Sequence, residues 1–286
     1  NIDLGSEKVG AARSAPILSP DGTRIAFWGR ATGGVWQLYT RRLDQMEATR
    51  LAGTESAYPA MFFSPDGEWI GYWSEGKMKK VAVQGGSPIT LGEVTILLGA
   101  SWGDDDTIIF GTINNGLFRM PGAGGVAQPL QEKSPFRVFP QVLPGAKEVL
   151  FNSNPGGTND LNGFDIRALD LQSGQEKVLL RGGYWSRYLP TSGETGHLVY
   201  MRKGTLFGVG FDPRSLEVLS KPVPLLDNVA PITGFLDGGT QFAFSNNGMF
   251  IYLSGGTGDN VYPVSWLNAA GETTPLVPQP GNYGAP

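Results

Sequence analysis

SPDGTRIAF at 19–27 and SPDGEWIGYW at 64–73 are two copies of one pattern. Each has a Ser-Pro-Asp-Gly turn, then a short apolar run ending on an aromatic residue. Working outward, the same column recurs as Phe27, Tyr72, Phe110, Phe151, Tyr200 and Tyr252, closing RIAF, WIGY, TIIF, EVLF, HLVY and FIY. The spacings are 45, 38, 41, 49 and 52 residues. LPGA at 143–146 and SNNG at 245–248 supply turns upstream of two further copies; GDDD at 103–106 and the longer PTSGETG at 190–196 serve the remaining two. A period of this length with one turn-flanked hairpin per copy marks stacked β units.

Each copy reads as four strands. In the second these are AMFFS (60–64), WIGYW (69–73), KKVAV (79–83) and PITL (88–91), joined at Asp66-Gly67, Glu75-Gly76 and Gly85-Gly86. Asp or Asn before Gly is tight-hairpin chemistry. Helical spacing is nowhere sustained. The expectation is an all-β fold, a six-bladed β-propeller of four-stranded antiparallel blades with the first strand of each lining a central channel. The blades fall at about 15–53, 58–91, 98–130, 139–180, 187–226 and 240–277 within one domain. Asn1-Ile2-Asp3-Leu4, in the leading segment 1–14, is expected to add a ring-closing edge strand to the last blade.

Composition agrees. The 286 residues include 42 Gly and 21 Pro, with 40% hydrophobic and only 17% charged, which suits many short strands and tight turns. A net charge of −4 without a basic stripe argues against nucleic acid. No run is long enough for a transmembrane helix. The absence of cysteine excludes disulfides and thiolate chemistry and fits either the cytoplasm or the periplasm. The chain opens on Asn1 without Met and reads as a mature or excised segment.

The SPDG copies resemble the repeats of TolB-like propellers. LYTRRLDQMEATRLAGTE (38–55), KMKKVAVQGGSP (77–88), FPQVLPGAKEVLF (139–151) and RYLPTSGETGHLVYMRKGTLFGVGFD (187–212) further resemble the propeller region that follows the kinase domain of certain bacterial serine/threonine kinases. That resemblance implies a sensor or interaction module, on the extracytoplasmic (periplasmic) side of a bacterial membrane protein. It implies no kinase activity, because the Gly-rich loop, His-Arg-Asp and Asp-Phe-Gly are all absent.

Catalytic motifs are sparse. His197, the single histidine, starts a strand, and no G-x-S-x-G elbow accompanies it. Zinc lacks His and Cys ligands. Asp21 and Asp66 read as turn caps, and Asp104-Asp105-Asp106 as a solvated turn. The loop NPGGTNDLNGFD offers Asn159, Asp160, Asn162 and Asp165, an oxygen-rich set of the kind calcium favours, although EF-hand spacing fails at Leu169. A flexible hairpin loop is the other reading.

Ligand-binding residues are expected on the loops entering the first strands, where length and sequence vary. Those segments carry Tyr58, Phe136, Arg137, Phe139, Tyr184, Trp185, Arg187, Tyr188, Phe235 and Asp237, and aromatic residues with arginine are the enriched composition of binding hot spots. They either ring the channel mouth to bind a protein, peptide or small polar ligand, or pack the seams between blades. Arg137 and Arg187 have no evident structural role in the sequence and suit bidentate recognition of carboxylate or phosphate. The expected function is therefore a non-enzymatic binding module, monomeric, without a cofactor. The alternative is a calcium-dependent hydrolase or lactonase-like propeller. The first-strand segments PILS, AMFFS, GASWG, PQVL, RYLP and QFAFS, almost devoid of carboxylates, weigh against it. A third reading is a propeller fragment in which repeat and closure are the whole story.

Overall fold

Each SPDG turn is held by its own side chains. The Ser19 hydroxyl, the Thr23 backbone N–H and the Thr23 hydroxyl all donate to the Asp21 carboxylate. The Ser19 hydroxyl in turn accepts from Arg24 N at 2.9 Å. Ser64, Asp66 and Glu68 repeat the arrangement, and in the last copy Asn247 stands where the others have Asp. Hydrogen bonding from Ser19 and Ser64 holds the Asp21 and Asp66 carboxyls below the usual carboxylate range. Gly22 and Gly67 complete the turns at φ +69° and +74°, a left-handed conformation that favours glycine.

In this computed structural model the described residues are 8–9, 15–30, 34–112, 115–131, 136–154, 156, 163–191, 195–230, 240–253, 264–267 and 273–275. They form an all-β structure without an α-helix. Within each unit the principal strands pair antiparallel with their neighbours in chain order. The second unit, Tyr58–Phe63, Trp69–Ser74, Lys77–Ala82 and Ile89–Glu93, is representative. The third and fourth units join into one eight-stranded sheet through a single pairing, Thr112 with Arg137. The backbones touch there because position 111 is glycine: a Cβ on Gly111 would lie 2.4 Å from the Arg137 carbonyl oxygen. The edge strand expected of residues 1–4 lies outside the described residues. Lys8–Val9 pairs with Gly29 and Arg30 of the first unit.

The aromatic column forms the seams. All six residues are buried, none more than 7% exposed. Tyr72 packs with Leu38 and Leu51 of the first unit, Phe110 with Phe62 and Met78 of the second, and Phe151 with Ile109 and Leu117 of the third. Tyr200 packs with Leu150 and Ile166 of the fourth, and Tyr252 with Val199 and Met201 of the fifth. Phe27 completes the series against Ile251 of the last unit. Each ring thus seats on the unit before it, and the first seats on the last. Two hydrogen bonds reinforce that closure, Asn246 N to Pro20 O at 2.8 Å and Asn247 Nδ2 to Asp21 O at 2.7 Å. The inner strands consequently stand side by side around an axis, with Ile17–Leu18 between Phe242–Phe244 and Tyr58–Phe63.

Candidate functional site: the central channel

The inner strands enclose a channel of about 450 Å³, lined from every unit. Its wall is mixed: Leu98, Phe62, Phe139, Trp185 and Phe244 supply apolar surface, while Ser64, Ser101, Gln141, Tyr188, Ser245 and Asn246 supply polar groups. Among the described residues only two charged side chains line it, Arg187 and Asp104. Arg187 lies within the inner strand Tyr184–Pro190, whereas Asp104 sits on the turn after the inner strand Ala100–Trp102, at the opposite end.

Three inner strands carry a bulge near their start, between Tyr58 and Met61, Val138 and Gln141, and Tyr184 and Arg187. An extra residue in one strand re-aims the side chains around it. Phe139 (φ +54°) and Trp185 (φ +51°) occupy the left-handed region at two of these bulges, unusual for bulky residues and found where surrounding structure enforces it. Their rings meet edge-on at 4.6 Å. The Arg187 guanidinium lies over Trp185, 4.6 Å from the ring centroid. Its Nη1 donates to the carbonyls of Phe139 (3.1 Å) and Ser186 (2.8 Å). No carboxylate among the described residues pairs with Arg187. Burial pushes its pKa down to about 10, so it stays charged at neutral pH. Gln141 ties the fourth and fifth inner strands together: its Nε2 donates to Tyr188 O at 3.1 Å, and its Oε1 accepts from Tyr188 N at 2.7 Å.

Of the ten residues expected at the mouth, Phe139, Trp185, Arg187 and Tyr188 line the channel. Phe136 and Tyr184 are not among the lining residues and pack in an apolar cluster drawn from the third to sixth units, and Tyr58 packs edge-on against Trp73 at 5.6 Å. Arg137 departs most from expectation. It forms an ion pair with Glu176, donates to Gln131 and lies over the Phe151 ring, so it has a structural role after all. Phe235 and Asp237 lie outside the described residues. So do Asn159, Asp160 and Asn162. Asp165 is buried and ion-paired with Arg167 and Arg181 at 3.5 and 3.3 Å, so it is not a spare oxygen ligand. His197 is exposed at a strand end. The sequence reading missed Gln141, which lies inside the quoted PQVL segment, and placed Asp104 on a solvated turn, where it is exposed but also borders the channel.

Solved structures share this arrangement. TolB from Acinetobacter baumannii superimposes with a TM-score of 0.66 at 19% identity, over 92% of this chain and 66% of that one. A putative TolB from Agrobacterium tumefaciens gives 0.56 at 17% identity, over 75% and 80%. The fold is that of a TolB-like β-propeller. An oligogalacturonate lyase from Vibrio parahaemolyticus also matches the propeller, with a TM-score of 0.63 at 13% identity over 96% of this chain and 79% of that one. No family model and no curated protein matches the chain. At these identities the likeness concerns architecture, so function rests on the channel itself.

Arg187→Met is a direct probe of that channel. Removing a desolvated charge is favourable, while two carbonyls lose their donor, each costing about 1–3 kcal/mol. The two effects oppose one another, and the unfolding free energy in urea is expected to change by less than about 1 kcal/mol. A loss above about 3 kcal/mol would mark the guanidinium as purely structural.

Proposed function

We propose that this chain is a six-bladed propeller acting as a non-enzymatic binding module, with its ligand seated in the central channel. The observation that carries this reading is the part of the channel wall formed by Leu98, Phe139, Trp185 and Phe244, with one fixed guanidinium beside it that no described carboxylate neutralises. A concave apolar site with few placed polar groups is the ordinary form of a ligand pocket. The resemblance of the repeat segments to kinase-linked propellers supports a sensor or interaction domain of a larger bacterial signalling protein, on its extracytoplasmic side. The likeness to TolB structures is compatible with that placement. No helix among the described residues is long and apolar enough to cross a membrane.

An enzyme remains the second reading, because a lyase shares the architecture. In that case acid–base groups should converge in the channel. Among the described lining residues Asp104 is the one carboxylate.

A thermal-shift screen against calcium, sugars, nucleotides and short peptides tests the proposal. A channel ligand at a hundredfold excess over its Kd stabilises the fold by about 2.7 kcal/mol and raises the midpoint. A shift with calcium alone, reversed by EDTA, would favour the enzyme reading. No shift with any soluble compound would contradict a small-ligand site.

A further inference from the structure

The geometry of Arg187 narrows the ligand class, given that the channel is the binding site. Both Nη1 hydrogens are engaged by the carbonyls of Phe139 and Ser186. The Trp185 ring covers one face of the guanidinium. Rotation is therefore blocked, and the Nε/Nη2 edge is left facing no acceptor among the described residues. That edge carries the two parallel N–H groups that fit a carboxylate bidentately. A salt-bridge arginine, such as Arg137, has its charge balanced by a neighbouring acid. Arg187 has carbonyls and an aromatic ring as partners, which orient the cation without neutralising it.

We infer that the channel receives a monoanionic carboxylate with an apolar body, its two oxygens on the Nε/Nη2 edge of Arg187 and its body against Phe139, Leu98 and Phe244. The charge follows from the lining. One guanidinium balances one negative charge, and no Lys, His or second Arg among the described residues lines the channel. A phosphate dianion would keep an uncompensated charge in an apolar setting, which is costly. Asp104 at the far end disfavours a second anionic group there. The apolar body follows from the residues grouped around Arg187, namely Leu98, Phe139, Trp185 and Phe244, whose contacts reward burial of hydrocarbon at that part of the channel. Either a small aryl or alkyl carboxylate or the C-terminal carboxylate of a peptide ending in an apolar residue satisfies this chemistry.

Isothermal titration calorimetry on the whole chain with matched probes tests the assignment. 3-Phenylpropionate and 3-phenylpropionamide differ in charge but little in shape; Gly-Gly-Phe and its C-terminal amide repeat the comparison for a peptide. At least one acid is expected to bind, about tenfold or more tighter than its amide. Arg187→Met should remove that preference, so that acid and amide bind alike. Arg187→Lys, which keeps the charge but loses the fork, should recover only part of it. The acid that binds more tightly identifies the source as small molecule or peptide end. Equal binding of acid and amide would overturn the assignment while leaving the channel as the binding site. Unchanged acid binding in Arg187→Met would overturn it as well. If neither acid binds, it fails outright, and the thermal-shift screen then decides separately whether the channel binds anything.

Discussion

Phe151→Ala is expected to lower the free energy of unfolding by about 3–5 kcal/mol. Phe151 is completely buried and packs against Ile109 and Leu117 of the unit before its own. Truncation opens a cavity in a seam, and both walls of that seam are β-sheets whose strands are fixed by their hydrogen bonding. They cannot close the gap as a loop would, so most of the transfer and cavity cost remains. Urea denaturation followed by tryptophan fluorescence measures the change. A loss below about 1 kcal/mol would mean that the aromatic column does not hold the units together.

Glu176→Gln is expected to cost about 2–3 kcal/mol. Glu176 receives Arg137 through Nη1 and Arg167 through Nη1 at 3.2 Å, and Gln131 Nε2 donates to it at 2.7 Å. Its side chain is 16% exposed and that of Arg137 15%. Removing the shared carboxylate leaves two guanidinium groups close together with little water to screen them. Breaking a fully buried pair costs about 3–5 kcal/mol, and the residual exposure reduces that figure. A cycle with Arg137→Met should show strong coupling, because the double variant no longer leaves Arg137 uncompensated. Additive effects would mean that the ion pair contributes nothing, and Arg137 would again be available for a ligand.

The contrast between these two residues shows what the sequence makes legible. Phe151 announces itself: it ends an apolar run downstream of a turn, at the repeat period, and both signals are local. The role of Arg137 depends on Glu176, 39 positions away on the outer strand Glu176–Arg181. A register shift between Ile166 and Arg167 separates that strand from a regular pairing, and nothing local in the sequence marks it. Asp165 reads as part of a candidate calcium loop for the same reason, since its partners Arg167 and Arg181 become visible only once the strands are paired. The channel residues are an intermediate case. Tyr58-Pro59 and Phe139-Pro140 mark the start of an inner strand, and a bulge lies at each. The third bulge, at Trp185-Ser186, has no proline to signal it, yet it is the one beside Arg187. Gln141 reads as an ordinary strand residue until its reciprocal bonds to Tyr188 are seen.

The most direct test of the account is an NMR titration of the isotope-labelled chain with 3-phenylpropionate and Gly-Gly-Phe, following backbone amides and tryptophan indole signals. Binding in the channel should concentrate the shifts on Phe139–Leu143 and Trp185–Leu189, with the ligand recovered chemically unchanged. Shifts confined to the outer strands, or conversion of the ligand into product, would contradict it.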